Sequence, residues 1–185
     1  MEGFRLTHRL ATLADLAVLR TLMDVAISEL QKPFLDSDQI KSSRTIMGLD
    51  TQLIEDHTYF IVETNDRVAG CGGWSRRATL YGGDQTSGRD AKLLDPRIEP
   101  AKVRAMYTHP AYARQGIGRL ILALCEKAAW DQGFLKVELM ATMSGEPLYL
   151  ACGYEPIERI KDERGGHPCR LSECARNCRE SQLFQ

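Results

Sequence analysis

A glycine-containing turn between a predicted strand and a predicted helix carries the residues best suited to bind a phosphate. The turn consists of Arg114, Gln115, Gly116, Ile117, Gly118 and Arg119. The first N–H groups of a helix have no partner within it, and glycine lets a ligand approach the backbone closely. The positive end of the helix dipole and the Arg114 guanidinium add favourable charge for phosphate oxygens. The turn is therefore predicted to cradle a pyrophosphate.

Two common nucleotide-binding motifs do not fit this turn. A P-loop requires Gly-x-x-x-x-Gly-Lys-Ser/Thr, which the sequence lacks. A dinucleotide fingerprint requires Gly or Ala three residues after Gly118, where Ile121 stands. The turn therefore indicates a phosphate ligand of a different kind.

The flanking sequence predicts the strand and the helix that position the turn. Val103, Met106 and Tyr107 form an apolar run, and Pro110 ends it because proline has no N–H to donate to a sheet. After the turn, apolar residues recur at helical spacing: Ile117, Leu120, Ile121, Leu124, Cys125 and Ala128. Four polar residues fall off that face: Arg119, Glu126, Lys127 and Asp131. Gly133 marks the expected end of the helix.

The remaining patterns predict a mixed α/β domain. Strands are predicted at 4–10, 59–63, 68–76, 135–142, 154–160 and 169–172, and helices at 13–30, 34–47 and 143–152. The strands do not alternate strictly with helices, so a mostly antiparallel sheet with one locally parallel pair fits best. Residues 77–100 form a long connection, interpreted either as a mobile surface loop or as a substrate lid.

Composition limits the classes of function. The 185 residues suit a single domain over 1–185, and 43% hydrophobic with 26% charged residues is typical of a globular chain. A net charge of −1 gives no electrostatic case for nucleic acid or an anionic membrane. No apolar run approaches the ~20 residues of a membrane span, and the N-terminus lacks the apolar core of a signal peptide. A cytoplasmic protein with mostly reduced cysteines is expected.

A metal site is not expected. The chain end carries His167, Cys169, Cys174 and Cys178, but their spacings do not form Cys-x-x-Cys pairs. These residues are interpreted as scattered thiols beside a histidine.

The phosphate-binding turn resembles the acyl-CoA loop of the GNAT N-acetyltransferases, usually written Gln/Arg-x-x-Gly-x-Gly/Ala. Ala113 occupies the first position here, and Arg114 follows one place later. A second GNAT signature, Phe/Leu-Tyr-x-x-x-Gly-Phe/Tyr, matches the stretch from Leu148 to Tyr154. The resemblance covers roughly 11–160, and the stretch 70–77 is similar to a subgroup of GNAT proteins without a named substrate.

This resemblance implies a fold, a cofactor and a reaction. The GNAT fold has a mixed, mostly antiparallel sheet with a V-shaped splay between its two central strands, flanked by helices. Acetyl-CoA would lie in the splay, with backbone amides of Met106, Tyr107 and Thr108 binding the pantetheine arm and polarising the thioester carbonyl. An amine of a small molecule or peptide would attack the thioester directly. A non-catalytic module that binds or senses acyl-CoA is the alternative, and a homodimer is an expectation from the family.

Tyr149 matches the general acid that protonates the departing thiolate in this family. A phenol has a pKa of about 10 and a thiol of about 8.5, so full proton transfer is uphill by about 2 kcal/mol. Unless its pKa is lowered, Tyr149 is therefore expected to act chiefly as a hydrogen-bond donor to sulfur.

The acceptor site and the base are less defined. Trp74, Arg76, Arg77 and Arg104 are candidates for lining an acceptor pocket, where the arginines would suit a carboxylate-bearing amine. The alternative is a core tryptophan in a hairpin with solvated arginines.

Many relatives carry a glutamate base on the central strand, where this sequence has Arg104. Glu99, His109 and a chain of water molecules are the candidates to accept the proton of the amine.

Overall fold

The computed structural model describes residues 5–178, which form a seven-stranded mixed sheet covered by helices. The strands are β1 Leu6–Leu10, β2 Tyr59–Thr64, β3 Arg67–Ser75, β4 Ala101–Thr108, β5 Lys136–Thr142, β6 Glu155–Asp162 and β7 Cys169–Asn177. The helices are α1 Leu16–Leu30, α2 Ser37–Ser43, α3 Thr51–Glu55, α4 Ile117–Asp131 and α5 Glu146–Ala151, with short 3-10 turns at Leu13–Asp15 and Pro110–Tyr112.

The strands lie in the order β1-β2-β3-β4-β5-β7-β6. Every neighbouring pair is antiparallel except β4 and β5, which are parallel. This parallel pair needs a crossover connection, and α4 provides it. The prediction of a mostly antiparallel sheet with one parallel pair is confirmed.

Glycines of β3 allow α4 to pack very close to the sheet. A Cβ atom added at Gly70 would lie 2.5 Å from Ile117 Cγ2, and one added at Gly72 would lie 2.6 Å from Ile121 Cγ2. Real Cβ atoms do not approach other atoms so closely, so larger residues would push the helix away. Glycine within a strand thus serves here to allow a close approach, in this case of α4 to the sheet.

The buried face of α4 is rotated relative to the predicted face. Leu122, Glu126 and Ala129 are fully buried, whereas Leu120 and Leu124 are only half-buried. Glu126, which was predicted to fall off the apolar face, therefore belongs to the buried face. The Tyr154 hydroxyl donates a hydrogen bond of 2.9 Å to the Glu126 carboxylate. This bond lowers the cost of burying the carboxylate oxygen.

Two other boundaries differ from the predictions. The predicted helix 34–47 is shorter in the structure, where only α2 forms within it. α2 begins after Asp36, because the side chain of this residue accepts a hydrogen bond of 2.8 Å from the Gln39 backbone amide and so caps the helix. The last strand, predicted at 169–172, extends to Asn177. The polar residues in the second half of β7 gave no strand pattern in the sequence. The strand is instead stabilised by its neighbours, because β7 lies between β5 and β6 and pairs with both along its length. The predicted strand residue Phe4 lies outside the described residues.

The connection 77–100 is fastened to the body of the domain. Its two arms pair with each other, with the Thr79 amide donating to the Asp90 carbonyl at 2.9 Å. The Gln85 amide group donates to the carbonyls of Arg44 and Met47 at 2.8 and 2.9 Å. Arg89 forms an ion pair with Asp50 at 2.7 Å. In this structure the connection therefore lies against the segment that follows α2, and the alternatives of a mobile loop and a substrate lid stay predictions.

Within residues 5–178, no helix is long and apolar enough to cross a membrane. No group of three or more His, Cys, Asp or Glu side chains in that range is placed to hold a metal ion. The six cysteines are all free and buried.

Candidate active site

The two central strands separate after three paired residues. β4 and β5 pair through Ala101–Val137, Lys102–Glu138 and Val103–Leu139 and then diverge. From Arg104 onwards, β4 therefore has no strand partner on its β5 side. The chain forms the V-shaped splay expected from the sequence resemblance.

A bulge in β4 accompanies the splay. Cys71 of β3 pairs with Tyr107 and Gly73 pairs with Arg104, so one extra residue of β4 lies between these pairs. Ala105 has a positive φ of 51°, which is unfavourable for a residue with a side chain. Ala105 and Met106 thus pair in register with neither β3 nor β5. Backbone groups released from a sheet in this way are available to a ligand.

Tyr59 holds the bulge in place. Its hydroxyl donates a hydrogen bond of 2.7 Å to the carbonyl oxygen of Ala105, and its side chain is fully buried on β2. Burial raises the pKa of Tyr59 well above its ordinary value, so the hydroxyl remains a donor. The strained conformation at Ala105 is therefore supported by a buried hydrogen bond that the sequence did not reveal.

The splay opens into a cavity of about 810 Å³. One wall of the cavity consists of the splayed strand, the turn before α4 and α5; it includes Met106, Tyr107, Thr108, Arg114, Gly116, Ile117, Gly118, Arg119 and Tyr149. The rest of the lining, here called the second wall, comes mainly from α1, the segments after α1 and α2, and the connection 77–100; it includes Leu30, Pro33, Phe34, Met47, Leu80 and Tyr81. Nine of the ten residues predicted to bind acetyl-CoA or to act in catalysis therefore share one cavity, and Gln115 does not line it.

The turn before α4 leaves its backbone accessible. Arg114 and Gly116 have positive φ angles of 65° and 85°, and a Cβ atom added at Gly116 would meet nothing within 4 Å. No side chain of residues 5–178 caps the N-terminus of α4. At Gly118 an added Cβ would lie 2.8 Å from the terminal methyl group Leu148 Cδ2, so this glycine leaves room for the Leu148 side chain of α5 against α4. The geometry fits an anion held by backbone N–H groups.

The charges of this turn are positive and unpaired. Arg114 and Arg119 line the cavity, are exposed, and form no ion pair with any residue of the described part of the chain. The Gln115 side chain turns back instead, donating to the Ala111 carbonyl at 3.3 Å. Two guanidinium groups are thus free to meet phosphate oxygens.

Tyr149 lies beside the unpaired residues of β4. Its hydroxyl donates to Met106 Sδ at 3.6 Å, and its side chain is buried at 8% exposure. Burial raises the pKa of Tyr149 from its ordinary value of 10.0. A phenol with a raised pKa is a weaker proton donor, so the geometry favours a hydrogen bond to sulfur over complete proton transfer. The thioether of Met106 already shows that a sulfur atom fits in front of this hydroxyl.

Arg104 also lines the cavity and belongs to a buried ionic network. Its side chain is 1% exposed, and Nη2 lies 2.5 Å from Asp50 Oδ2 and 2.6 Å from the Gly82 carbonyl oxygen. Asp50 is fully buried and is shared with Arg89. Burial raises the pKa of Asp50, against the opposing effect of the two arginines, and lowers the pKa of Arg104. The ion pair offsets part of the cost of burying the two groups in the domain interior.

Three other candidates for the acceptor pocket do not line the cavity. Trp74 is 3% exposed and packs edge-on against Phe134, with ring centroids 5.9 Å apart. Arg77 makes two hydrogen bonds to the Asp56 carboxylate at 2.7 and 2.8 Å. Arg76 points to the same region, 3.5 Å from the Asp56 carbonyl. The core-tryptophan alternative is correct for Trp74, and the two arginines stabilise the start of the connection 77–100.

The cavity contains neither candidate base. Glu99 accepts a hydrogen bond from the Asp95 amide at 2.7 Å, and His109 accepts one from the Ala111 amide at 3.1 Å; neither residue lines the cavity. Among the described lining residues, Glu29 is the one carboxylate, and it forms an ion pair with Lys32 at 2.7 Å on the surface. The lining formed by residues 5–178 therefore contains no buried carboxylate to accept a proton from an amine.

Comparison with known proteins places the chain in a family. The sequence model of the acetyltransferase (GNAT) domain matches residues 55–156. No curated protein sequence matches the chain significantly.

Solved structures resemble the fold at low sequence identity. A GCN5-related N-acetyltransferase from Rhodopseudomonas palustris is 14% identical, with a TM-score of 0.70, 96% of this chain covered and 99% of that one. A putative acetyltransferase (yncA) from Salmonella typhimurium with acetyl-CoA is 15% identical, with a TM-score of 0.61 and 94% of each chain covered. The PaiA N-acetyltransferase from Thermoplasma acidophilum with coenzyme A is 12% identical, with a TM-score of 0.62, 91% of this chain covered and 98% of that one.

The domain match spans more than half of the chain, and its motifs lie around the splay and the turn that the structure brings together. This chain belongs to the GNAT acetyltransferase family.

Proposed function

We propose that the protein transfers an acetyl group from acetyl-CoA directly to a primary amine of a small molecule or peptide. One observation carries this proposal: the splayed strand, the uncapped start of α4 and Tyr149 line a single cavity. Family membership supports the reaction type. Two structures of the same fold contain acetyl-CoA or coenzyme A, which supports the choice of cofactor.

The residues of the cavity fit acetyl-CoA. The open space at Gly116 and the unpaired arginines Arg114 and Arg119 would receive the pyrophosphate. The backbone of Met106, Tyr107 and Thr108, unpaired on the β5 side, would hold the pantetheine arm. Bound acetyl-CoA would supply a thioester, which is an activated acyl group with a good leaving group.

The chain's own groups act on charge that develops during transfer. The amine nitrogen forms a bond to the acetyl carbon while the carbon–sulfur bond breaks, and sulfur leaves with the electron pair. Amides at the Ala105–Met106 bulge would donate to the carbonyl oxygen as it becomes negative. Tyr149 would donate a hydrogen bond to the departing sulfur, and the products are an amide and coenzyme A.

Water is proposed to accept the proton of the amine. The described lining provides no buried carboxylate, and an alkyl amine with a pKa of about 10.4 is mostly protonated at neutral pH. The enzyme would then use the neutral fraction of the amine, and turnover would increase with pH until the amine is fully deprotonated.

A non-catalytic acyl-CoA-binding module is the second candidate, because the described residues of the cavity lining include no buried carboxylate to act as a base. Release of free thiol from acetyl-CoA, measured across a panel of primary amines, separates the two candidates. Amine-dependent thiol release above the rate without protein supports transfer. Saturable binding of acetyl-CoA without turnover of any amine supports the binding module instead.

A further inference from the structure

Two polar side chains in the lining of the cavity are buried with hydrogen-bonding atoms that have no partner. The Gln31 side chain, at the end of α1, is 3% exposed as a residue, and its Oε1 atom accepts no hydrogen bond. Arg104, on β4, has no partner for Nε or Nη1. Both residues line the cavity. A buried donor or acceptor without a partner is costly, so each group is expected to be completed by something that enters the cavity.

Arg104 shares its one buried carboxylate with a second arginine. The guanidinium groups of Arg104 and Arg89 share one fully buried carboxylate, that of Asp50. The next carboxylate, Asp84, has a side chain that is 39% exposed and lies 3.4 Å from Arg89. Arg104 thus keeps two nitrogens without a hydrogen-bond partner beside a shared carboxylate, and an additional anion next to it would satisfy them.

The unpaired atoms specify the chemistry of that anion. Nε and Nη1 of a guanidinium carry three N–H bonds between them, and a guanidinium is a donor without acceptor capacity. A carboxylate offers acceptor oxygens and a negative charge together. The free Oε1 of Gln31 is an acceptor and requires an N–H group, which a primary amine provides.

The position of Arg104 sets the distance between the carboxylate and the amine of the acceptor. Arg104 immediately precedes Ala105, where the bulge releases β4 from its neighbours. The reacting amine must lie at that bulge if its amides polarise the thioester. A carboxylate at Arg104 is therefore close to the amine, as in a free amino acid, rather than at the far end of a long chain. The apolar side chains of Leu30, Phe34 and Met47 would contact the remainder of such a molecule.

We propose that the acetyl acceptor is an amino acid with an apolar side chain, whose carboxylate binds Arg104. This inference rests on the proposed acetyl transfer and names its substrate class. Asp50 is a positioning residue in this arrangement, because it fixes the Arg104 guanidinium by the contact at 2.5 Å.

The test compares matched acceptors that differ only in the carboxylate. Leucine and leucinamide are assayed by thiol release, with each rate expressed per concentration of neutral amine because their amines differ in pKa. For the unmodified protein, kcat/KM is expected to favour leucine by about tenfold or more, as charge-assisted hydrogen bonds are stronger than neutral ones. Equal use of the two acceptors, or a preference for the amide, would overturn the proposal.

Variants assign the preference to Arg104. Arg104→Met is expected to reduce the leucine-to-leucinamide ratio to about one, because the group that distinguishes charge from amide is gone. The matched control is Arg89→Met, which disturbs the same Asp50 but lies outside the cavity lining and should retain the preference. If Arg104→Met fails to fold because Asp50 is left unpaired, the double variant Arg104→Met with Asp50→Asn removes both charges. A ratio that survives the loss of Arg104 contradicts the proposal.

A binding measurement keeps this inference distinguishable from the proposed function. Leucine and leucinamide are titrated calorimetrically into the protein in the presence of coenzyme A. Saturable binding of leucine that Arg104→Met abolishes supports the carboxylate site even if no amine is acetylated. If amines are acetylated but leucine binds no better than leucinamide, acetyl transfer stands and the carboxylate site is rejected.

Discussion

Replacement of Tyr149 by phenylalanine isolates the hydroxyl that faces the departing sulfur. Phenylalanine preserves the ring, which packs against Tyr154 with centroids 6.0 Å apart, so the cavity keeps its shape. The contact that disappears in the resting protein is the one at 3.6 Å to Met106 Sδ, a weak acceptor. We therefore expect the free energy of unfolding to change by less than about 1 kcal/mol.

The effect on turnover is expected to be much larger. Sulfur becomes negative as it leaves, and a hydrogen bond to a charged group contributes about 1.5–3 kcal/mol. At 1.36 kcal/mol per factor of ten, Tyr149→Phe should lower kcat by roughly 10- to 150-fold. The affinity for coenzyme A should remain near that of the unmodified protein, because most of the cofactor is held elsewhere in the cavity.

Stopped-flow or continuous thiol detection gives kcat, and calorimetry gives the affinity for coenzyme A. Tyr154→Phe is the matched control: its hydroxyl donates to buried Glu126 and does not line the cavity, so it should reduce stability and leave kcat within a few-fold. An unchanged kcat in Tyr149→Phe would remove this hydroxyl from the mechanism. Equal losses in the two variants would show that the effect is structural.

The pH dependence tests the same residue independently. Because burial raises the pKa of Tyr149, its hydroxyl stays protonated at every pH where the protein is assayed, up to about 10. Observed kcat/KM should therefore rise as the amine loses its proton and should show no fall from ionisation of Tyr149. A descending limb below about pH 9 that disappears in Tyr149→Phe would refute this reasoning.

Three further predictions concern the surroundings of the reaction centre. Gly116→Ala should weaken acetyl-CoA binding, measured by calorimetry, because the added Cβ enters the space left for the phosphates. The control is Gly88→Ala, which introduces a similar left-handed backbone strain of about 1–2 kcal/mol away from the cavity and should leave the affinity for acetyl-CoA unchanged. Tyr59→Phe should lower the free energy of unfolding by about 1–3 kcal/mol, measured with denaturant, and should also lower kcat, since the Ala105 carbonyl loses its hydrogen-bond donor. A loss of stability with an unchanged kcat would show that this hydrogen bond does not contribute to catalysis. Arg114→Gln should weaken coenzyme A binding and reduce its dependence on salt, and an unchanged salt dependence would place this charge away from the phosphates.

Features encoded by a few neighbouring residues could be predicted well from the sequence. The turn before α4 combines glycines with a strand and an amphipathic helix, and each of these signals is contained within a few residues. The structure places Gly116 and Gly118 at the helix start, as predicted. Tyr149 was found through a motif in the neighbouring helix. Local patterns thus identified one wall of the cavity.

Residues that act through distant contacts could not be predicted in the same way. Asp50 and Arg104 are 54 positions apart, and only the packing of α3 against β3 and of the connection 77–100 brings the network together. Tyr59 and Ala105 meet across the sheet, and nothing in either segment signals the hydrogen bond between them. A charge pattern alone likewise could not show that Arg77 pairs with Asp56 while Arg104 reaches the cavity.

The position of β7 in the sheet has a consequence for synthesis of the chain. β7 is the last of the seven described strands in the chain, yet it lies between β5 and β6 and pairs with both. Until residues 169–177 emerge, β5 presents an unpaired edge of backbone N–H and C=O groups, and β6 has no neighbour in the sheet. The part of the sheet formed by β5, β6 and β7 therefore assembles after β7 has been translated. A truncation before Cys169 would leave an incomplete, aggregation-prone sheet rather than a smaller enzyme.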